Sequence, residues 1–141
     1  MAEAIMRSRM PRSWLAAVEV SSAGTASRDG MPAAPGAVAV LAERGIDLSR
    51  HRAQSLTAEM IEASDIIVVM ENAHRDEIEE LAPGAAQRVI IFGELEPGRG
   101  DPEVADPIGG DEGVYRGTRD ELERLVGLLI DYLEVEFGLS H

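Results

Sequence analysis

Asp65-Ile66-Ile67-Val68-Val69-Met70, with the stretch that follows it to Phe92 (ENAHRDEIEELAPGAAQRVIIF, residues 71–92), decides the fold. Five consecutive apolar residues, rich in β-branched types, predict a strand covered on both faces. Asn72 to Leu81 then reads as a helix, capped by Asn72 and stopped by Pro83-Gly84. Arg88-Val89-Ile90-Ile91-Phe92 is a second buried strand. Strands alternating with helices in this way argue for an α/β fold with a parallel sheet.

The flanking chain continues the alternation. Ala2 to about Arg9 is a short helix, broken before Pro11. Val18-Glu19-Val20 reads as a further strand, running into the small residues Ser21-Ser22-Ala23-Gly24-Thr25. Pro32 and Pro35 introduce a helix from Ala37 to Arg44, with Gly45 at its C′ position. Asp47 to Ser55 is polar connecting chain, and Thr57 is placed to cap a helix that contains Ile61. Glu94 to Asp111 holds four Gly and three Pro, which makes it a loop. Thr118 to about Phe137 is the longest helix. Leu122, Leu125, Val126, Leu129, Ile130 and Leu133 form its apolar stripe, and Gly138 ends it. Three strands are readable, a small sheet against the usual roughly four to six.

Composition narrows the function. The 141 residues amount to one domain's worth of chain. There is no Cys, so disulfides, thiolate metal sites and thiol catalysis are excluded for the chain as written. All 13 basic residues are Arg, and the formal net charge is −13. That average field repels a polyanion, so no nucleic-acid partner is expected. The charge is uneven. Residues 1–55 carry 7 Arg and 5 acidic residues, whereas residues 56–141 carry 6 Arg and 21 acidic residues, so an anion site belongs in the first third. No apolar run approaches the ~20 residues of a membrane-spanning helix, and Glu19 interrupts any secretory core. A cytoplasmic protein with no membrane partner is expected.

Three segments could carry chemistry. Asp106-Pro107-Ile108-Gly109-Gly110 lies late in the long loop. Pro107 restricts Asp106 to open backbone geometry, from which a carboxyl can act as a general acid. Asp-Pro is equally a turn starter, as Asp101-Pro102 illustrates. Ser21-Ser22-Ala23-Gly24-Thr25 can hydrogen-bond a neighbouring loop or an anion, or simply turn the chain. His51, between Arg50 and Arg52, can titrate near neutral pH or meet an anion, or be a surface residue. His74 and His141 read as surface residues. No cluster at metal-ligand spacing appears, nor any dinucleotide or Walker A glycine pattern. The acidic run Asp76-Glu77-Glu79-Glu80 is a solvated helix face.

Taken in order, several segments resemble the low-molecular-weight protein tyrosine phosphatases. They are Met1-Ala2-Glu3-Ala4, Ser21 to Thr25, Gly30-Met31-Pro32-Ala33, Leu41 to Ile46, His51-Arg52-Ala53, Ala63 to Ile67, Asp106-Pro107 and Tyr115 to Leu122. The set is collinear and covers nearly the whole chain. The resemblance implies a three-layer α/β fold, a four-stranded parallel sheet with helices on both faces. It implies an active site where the first strand enters a C-x5-R phosphate loop. In that family a cysteine thiolate attacks phosphorus, the loop holds the equatorial oxygens, and a distant Asp protonates the leaving group. Asp106 matches the acid, and Ser22 and His51 match positions that support the phosphate loop. No cofactor or metal is implied, and the partner is a phosphorylated protein substrate.

The departure is at the front. The family's Met-Ala-Glu follows directly on the cysteine loop, whereas this sequence opens at that Met. Residues 1–141 are therefore expected to be a single phosphatase-like domain, N-terminally truncated, without its first central strand, nucleophile and loop Arg, through a start codon misplaced at an internal Met. Such a chain is expected to be inactive. The missing strand would leave buried edges unpaired at ~1–3 kcal/mol per group, against a domain stability of ~5–15 kcal/mol. For the family activity phosphotyrosine is the default substrate. Asp106 to Gly110, with Tyr115 to Leu122, is similar to the branch that dephosphorylates arginine, and Ile108 and Gly109 stand where tyrosine-directed members often place aromatics. The other readings are a non-catalytic pseudophosphatase and a plain α/β domain. Arsenate reductases of the same fold need several Cys and are excluded.

Overall fold

A computed structural model describes residues 1–25 and 29–139, so His141, expected at the surface, lies outside the described residues. The chain forms two compact units, between which it passes several times. One comprises Met1–Ser22, Pro32–Arg52 and everything from Pro107 on; the other comprises Ala23–Met31 and Ala53–Asp106.

The second unit holds the sheet. Strands β1 (Ile67–Val69) and β2 (Val89–Ile91) pair in parallel, with Ile67 opposite Val89 and Val69 opposite Ile91. The crossover is the helix at Asn72–Leu81, which packs on both strands. A short helix at Ala58–Glu62 precedes β1, and Thr57 caps it as expected, its Oγ1 accepting the Met60 N–H at 3.2 Å. Ile61, Val69, Ile78, Ala82, Ala85, Val89 and Ile91 are buried together, with Leu56 and Ile67 packed against them. Glu79 closes the turn into β2, its two carboxylate oxygens accepting the Gly84 and Ala86 N–H groups at 2.7 and 2.8 Å.

Several expectations are corrected here. The β1 strand is shorter than the apolar run that announces it, and it is not covered on both faces: Ile67 and Val68 are half-buried and only Val69 is buried. Among the described residues it has a partner on one side only. Asn72 is the first residue of its helix, not the cap; Glu71 holds the cap position, and the Asn72 N–H donates to Glu103 Oε2 at 2.7 Å. Val18–Val20 forms no strand. A strand exists only through a ladder, and the backbone here is engaged locally instead. The Val18 N–H donates to the Trp14 carbonyl at 2.8 Å, and the Val20 carbonyl accepts from the Arg7 guanidinium.

In the first unit we label the helices α1 (Ala2–Arg9), α2 (Pro35–Ala42) and α3 (Glu112–Phe137). The last of these packs against the other two. It starts six residues earlier than the apolar stripe suggests. Asp111 is its cap, with Oδ1 accepting the Val114 N–H at 2.9 Å, and Tyr115 and Arg119 already face inward. Leu122, Leu125, Val126, Leu129 and Ile130 are buried as the stripe predicts, while Leu133 is half-buried.

Arg119 is the buried charged residue of the first unit, 3% exposed. It donates to the Val40 carbonyl at 3.0 Å and pairs with Glu43 at 2.5 Å and Asp120 at 2.8 Å. Arg116 reaches the same Glu43 carboxylate at 2.7 Å. The hydrogen bonds from Arg116 and then Arg119 lower the Glu43 carboxyl from its ordinary 4.5 to about 2. A carboxyl with a depressed folded-state pKa stabilises the fold above its unfolded value and loses that contribution as pH falls. Stability should therefore decline between about pH 4.5 and pH 2, and Glu43→Gln should flatten that decline while lowering stability at neutral pH. Thermal unfolding followed across this range checks it. Equal slopes for the two proteins would remove Glu43 from the account.

Candidate functional site

Two of the three residues singled out in the sequence, Ser22 and His51, lie in the first unit. Glu3, in the first turn of α1, accepts the Ser22 hydroxyl on Oε1 at 2.6 Å and the Arg7 Nε on Oε2 at 2.8 Å. His51 acts on the same carboxylate through its charge. Burial opposes ionisation of Glu3, but the hydrogen bonds from Ser22 and Arg7, with the charges of Arg7 and His51, bring its pKa below the ordinary value. Ser22 thus hydrogen-bonds an ionised carboxylate whose charge His51 also favours. Glu3 is the residue that reading by type overlooks, because a Glu in a first helical turn is commonplace. The signal available was its place in Met1-Ala2-Glu3-Ala4.

Asp106 is exposed and closes the second unit, at the end of the long loop. The loop is Gly- and Pro-rich but well anchored. Gly93 N–H donates to the Pro102 carbonyl at 2.9 Å, and Val104 N–H to the Met70 carbonyl at 2.9 Å. Val104, two residues before Asp106, is 2% exposed and acts as an apolar plug. Directly after Asp106, Pro107 begins a turn in which the Gly110 N–H donates to the Pro107 carbonyl at 2.8 Å. Gly109 takes φ +81 at the third position, where such a turn demands a left-handed residue. Asp106-Pro107 thus leads into a turn, and the Asp106 carboxyl is exposed.

Among the described residues no group of three His, Asp or Glu side chains is placed to hold a metal ion. None of their helices is long and apolar enough to cross a membrane.

The family profile of the low molecular weight phosphotyrosine protein phosphatases matches residues 1–137. The chain belongs to this family. Its relatives include the probable low molecular weight protein-tyrosine-phosphatase EpsP of Ralstonia nicotianae, 40% identical over 107 residues, 76% of this chain and 68% of that protein. The protein-arginine-phosphatase of Geobacillus stearothermophilus is 38% identical over 122 residues, 86% of this chain and 81% of that protein. Among solved structures, a YwlE arginine phosphatase whose active-site cysteine is replaced by a phosphorylated serine superposes with a TM-score of 0.86 at 34% identity. The match covers 99% of this chain and 90% of that one. The α/β class and the family resemblance read from the sequence are thus both established. The family includes protein-arginine phosphatases, and the 141 residues contain no cysteine.

Proposed function

We propose that this chain carries the general acid and the loop-supporting side chains of a phosphoprotein phosphatase, whose nucleophile is a cysteine outside the 141 residues. The observation that carries the reading is Asp106: the Asp-Pro of the family's acid loop, exposed, and anchored two residues earlier by buried Val104.

The chemistry follows from the parts. A cysteine thiolate attacks phosphorus, and the bond to the leaving oxygen breaks as Asp106 supplies that oxygen with a proton. The Asp106 carboxylate then takes a proton from the water that displaces cysteine from phosphorus, which regenerates thiolate and acid and releases phosphate. Glu3, Ser22 and His51 support the backbone that holds the phosphate oxygens. Without a nucleophile and an oxyanion clamp, the acid has little to act upon. The purified 141-residue chain should therefore show no hydrolysis of p-nitrophenyl phosphate above background. Turnover by that chain, whether alone or with zinc or magnesium, would overturn the mechanism.

Phosphotyrosine on a protein is the first substrate to test. Phosphoarginine is the second reading, favoured by exposed Ile108, which with Gly109 replaces the aromatic residues that would pack a phenyl ring. It is also favoured by the arginine-directed relatives. Parallel assays of phosphotyrosine and phosphoarginine peptides with the cysteine-bearing protein decide between them. Preference for the phosphoarginine peptide would reassign the substrate and leave the roles of Asp106 and the cysteine in place.

A further inference from the structure

The loop from Glu94 to Asp106 has no ladder to hold it, yet it must deliver one carboxyl to one place. Arg99 is the side chain that organises it. Only 14% exposed, it sends Nε to the Asp101 carbonyl at 2.6 Å and Nη2 to the Glu103 carbonyl at 2.9 Å, with Nη1 at 3.5 Å from Glu96 Oε1. The two carbonyls flank Pro102. The carbonyl between them, that of Pro102, is taken by the Gly93 N–H. Three successive carbonyls are therefore pinned, two of them by a single planar fork of donors that no Lys could imitate. Gly93 makes room for this: a Cβ there would come within 2.6 Å of Arg99 Nε and would run into the Pro102 carbonyl. Downstream, Glu103 holds the Asn72 N–H and Val104 is fixed to Met70, which leaves Ala105 as the link to Asp106.

We propose that Arg99 is a positioning residue for Asp106: by clamping the carbonyls of Asp101 and Glu103 into the space left by Gly93, it fixes the course of the acid loop. This rests on Asp106 being the general acid. The clamp sets the direction in which the chain leaves residue 103, so losing it costs orientation of the acid rather than the acid itself.

The test has two parts. In the full 141-residue chain, Arg99→Met should speed amide hydrogen exchange at Gly93 and Val104 by at least ~10-fold while the ladder amides of Val68 and Ile90 keep their rates. Arg99→Lys keeps charge and bulk without the fork, so it serves if the Met variant does not fold, and the same local loss is expected. In the cysteine-bearing protein, Arg99→Met should slow phosphoenzyme formation, read in a single turnover, from phenyl phosphate, whose leaving group needs a proton, by ~10-fold. p-Nitrophenyl phosphate, whose leaving group needs one less, should change by under ~2-fold.

Unaltered exchange at Gly93 and Val104 would overturn the clamp. Equal slowing of the two esters would make Arg99 a merely structural residue. If instead Asp106→Asn leaves phenyl phosphate turnover untouched, the acid assignment itself fails, and the exchange data then speak only to the loop.

Discussion

Replacing Asp106 by Asn should slow phenyl phosphate hydrolysis by the cysteine-bearing protein ~10²–10⁴-fold, with little change in substrate binding. The side chain is exposed at the end of an anchored loop, so the substitution removes the proton donor without opening a cavity in the core. The effect should shrink as the leaving group improves, because a stable leaving anion needs less protonation. Steady-state kinetics over a series of aryl phosphates measures all of this. Undiminished turnover on the poorest leaving group would exclude Asp106 from the reaction.

The largest expected effect on stability is at Arg119. Truncation to Ala strips the Val40 carbonyl of its donor and leaves Glu43, Asp120 and Glu123 without the cation they share. Val40 itself is fully buried, so the carbonyl that loses its donor belongs to a core residue of α2. Removing one partner of a buried charged network costs ~3–5 kcal/mol, and the partial exposure of the acids here puts the expected loss at ~2–4 kcal/mol. For a chain of this length that is a fall in Tm of the order of 5–15 °C. Arg119→Met retains the volume and separates packing from charge: it should recover the smaller part. A loss under ~0.5 kcal/mol for the Ala variant would mean that the network is ornamental.

How much of this was legible in the sequence depends on whether a feature is local. Thr57 as a cap, Gly84 and Gly138 as left-handed stops, and the apolar runs at Ile67 and Val89 act within a few residues of themselves, and each appears where its type predicts. Val18–Val20 failed because β-branched composition offers a strand but a ladder requires a neighbour, and here the nearby Trp14 carbonyl and the Arg7 guanidinium take the polar groups. The start of α3 was misplaced because Gly113 and Gly117 weaken the helical signal. Asp111 as a cap, followed by inward spacing at Tyr115, Arg119 and Leu122, would have located it.

The site divides in the same way. Asp106, Ser22 and His51, the residues of the proposed site, are legible as chemical types and through the family resemblance. Glu3 and Arg99 were not, because their importance lies in which groups they touch. Glu3 gathers Ser22, 19 residues away, as well as Arg7 one turn along its own helix, and Arg99 grips carbonyls, which carry no mark in the side-chain pattern.

The most direct test is a rapid-quench mass analysis of the protein as its own cell makes it, mixed briefly with a phosphorylated substrate. The account predicts a phosphate trapped on a cysteine of a C-x5-R segment joined ahead of Met1. A protein that begins at Met1, lacks cysteine and still turns substrate over, or one phosphorylated on a residue within the 141, would contradict it.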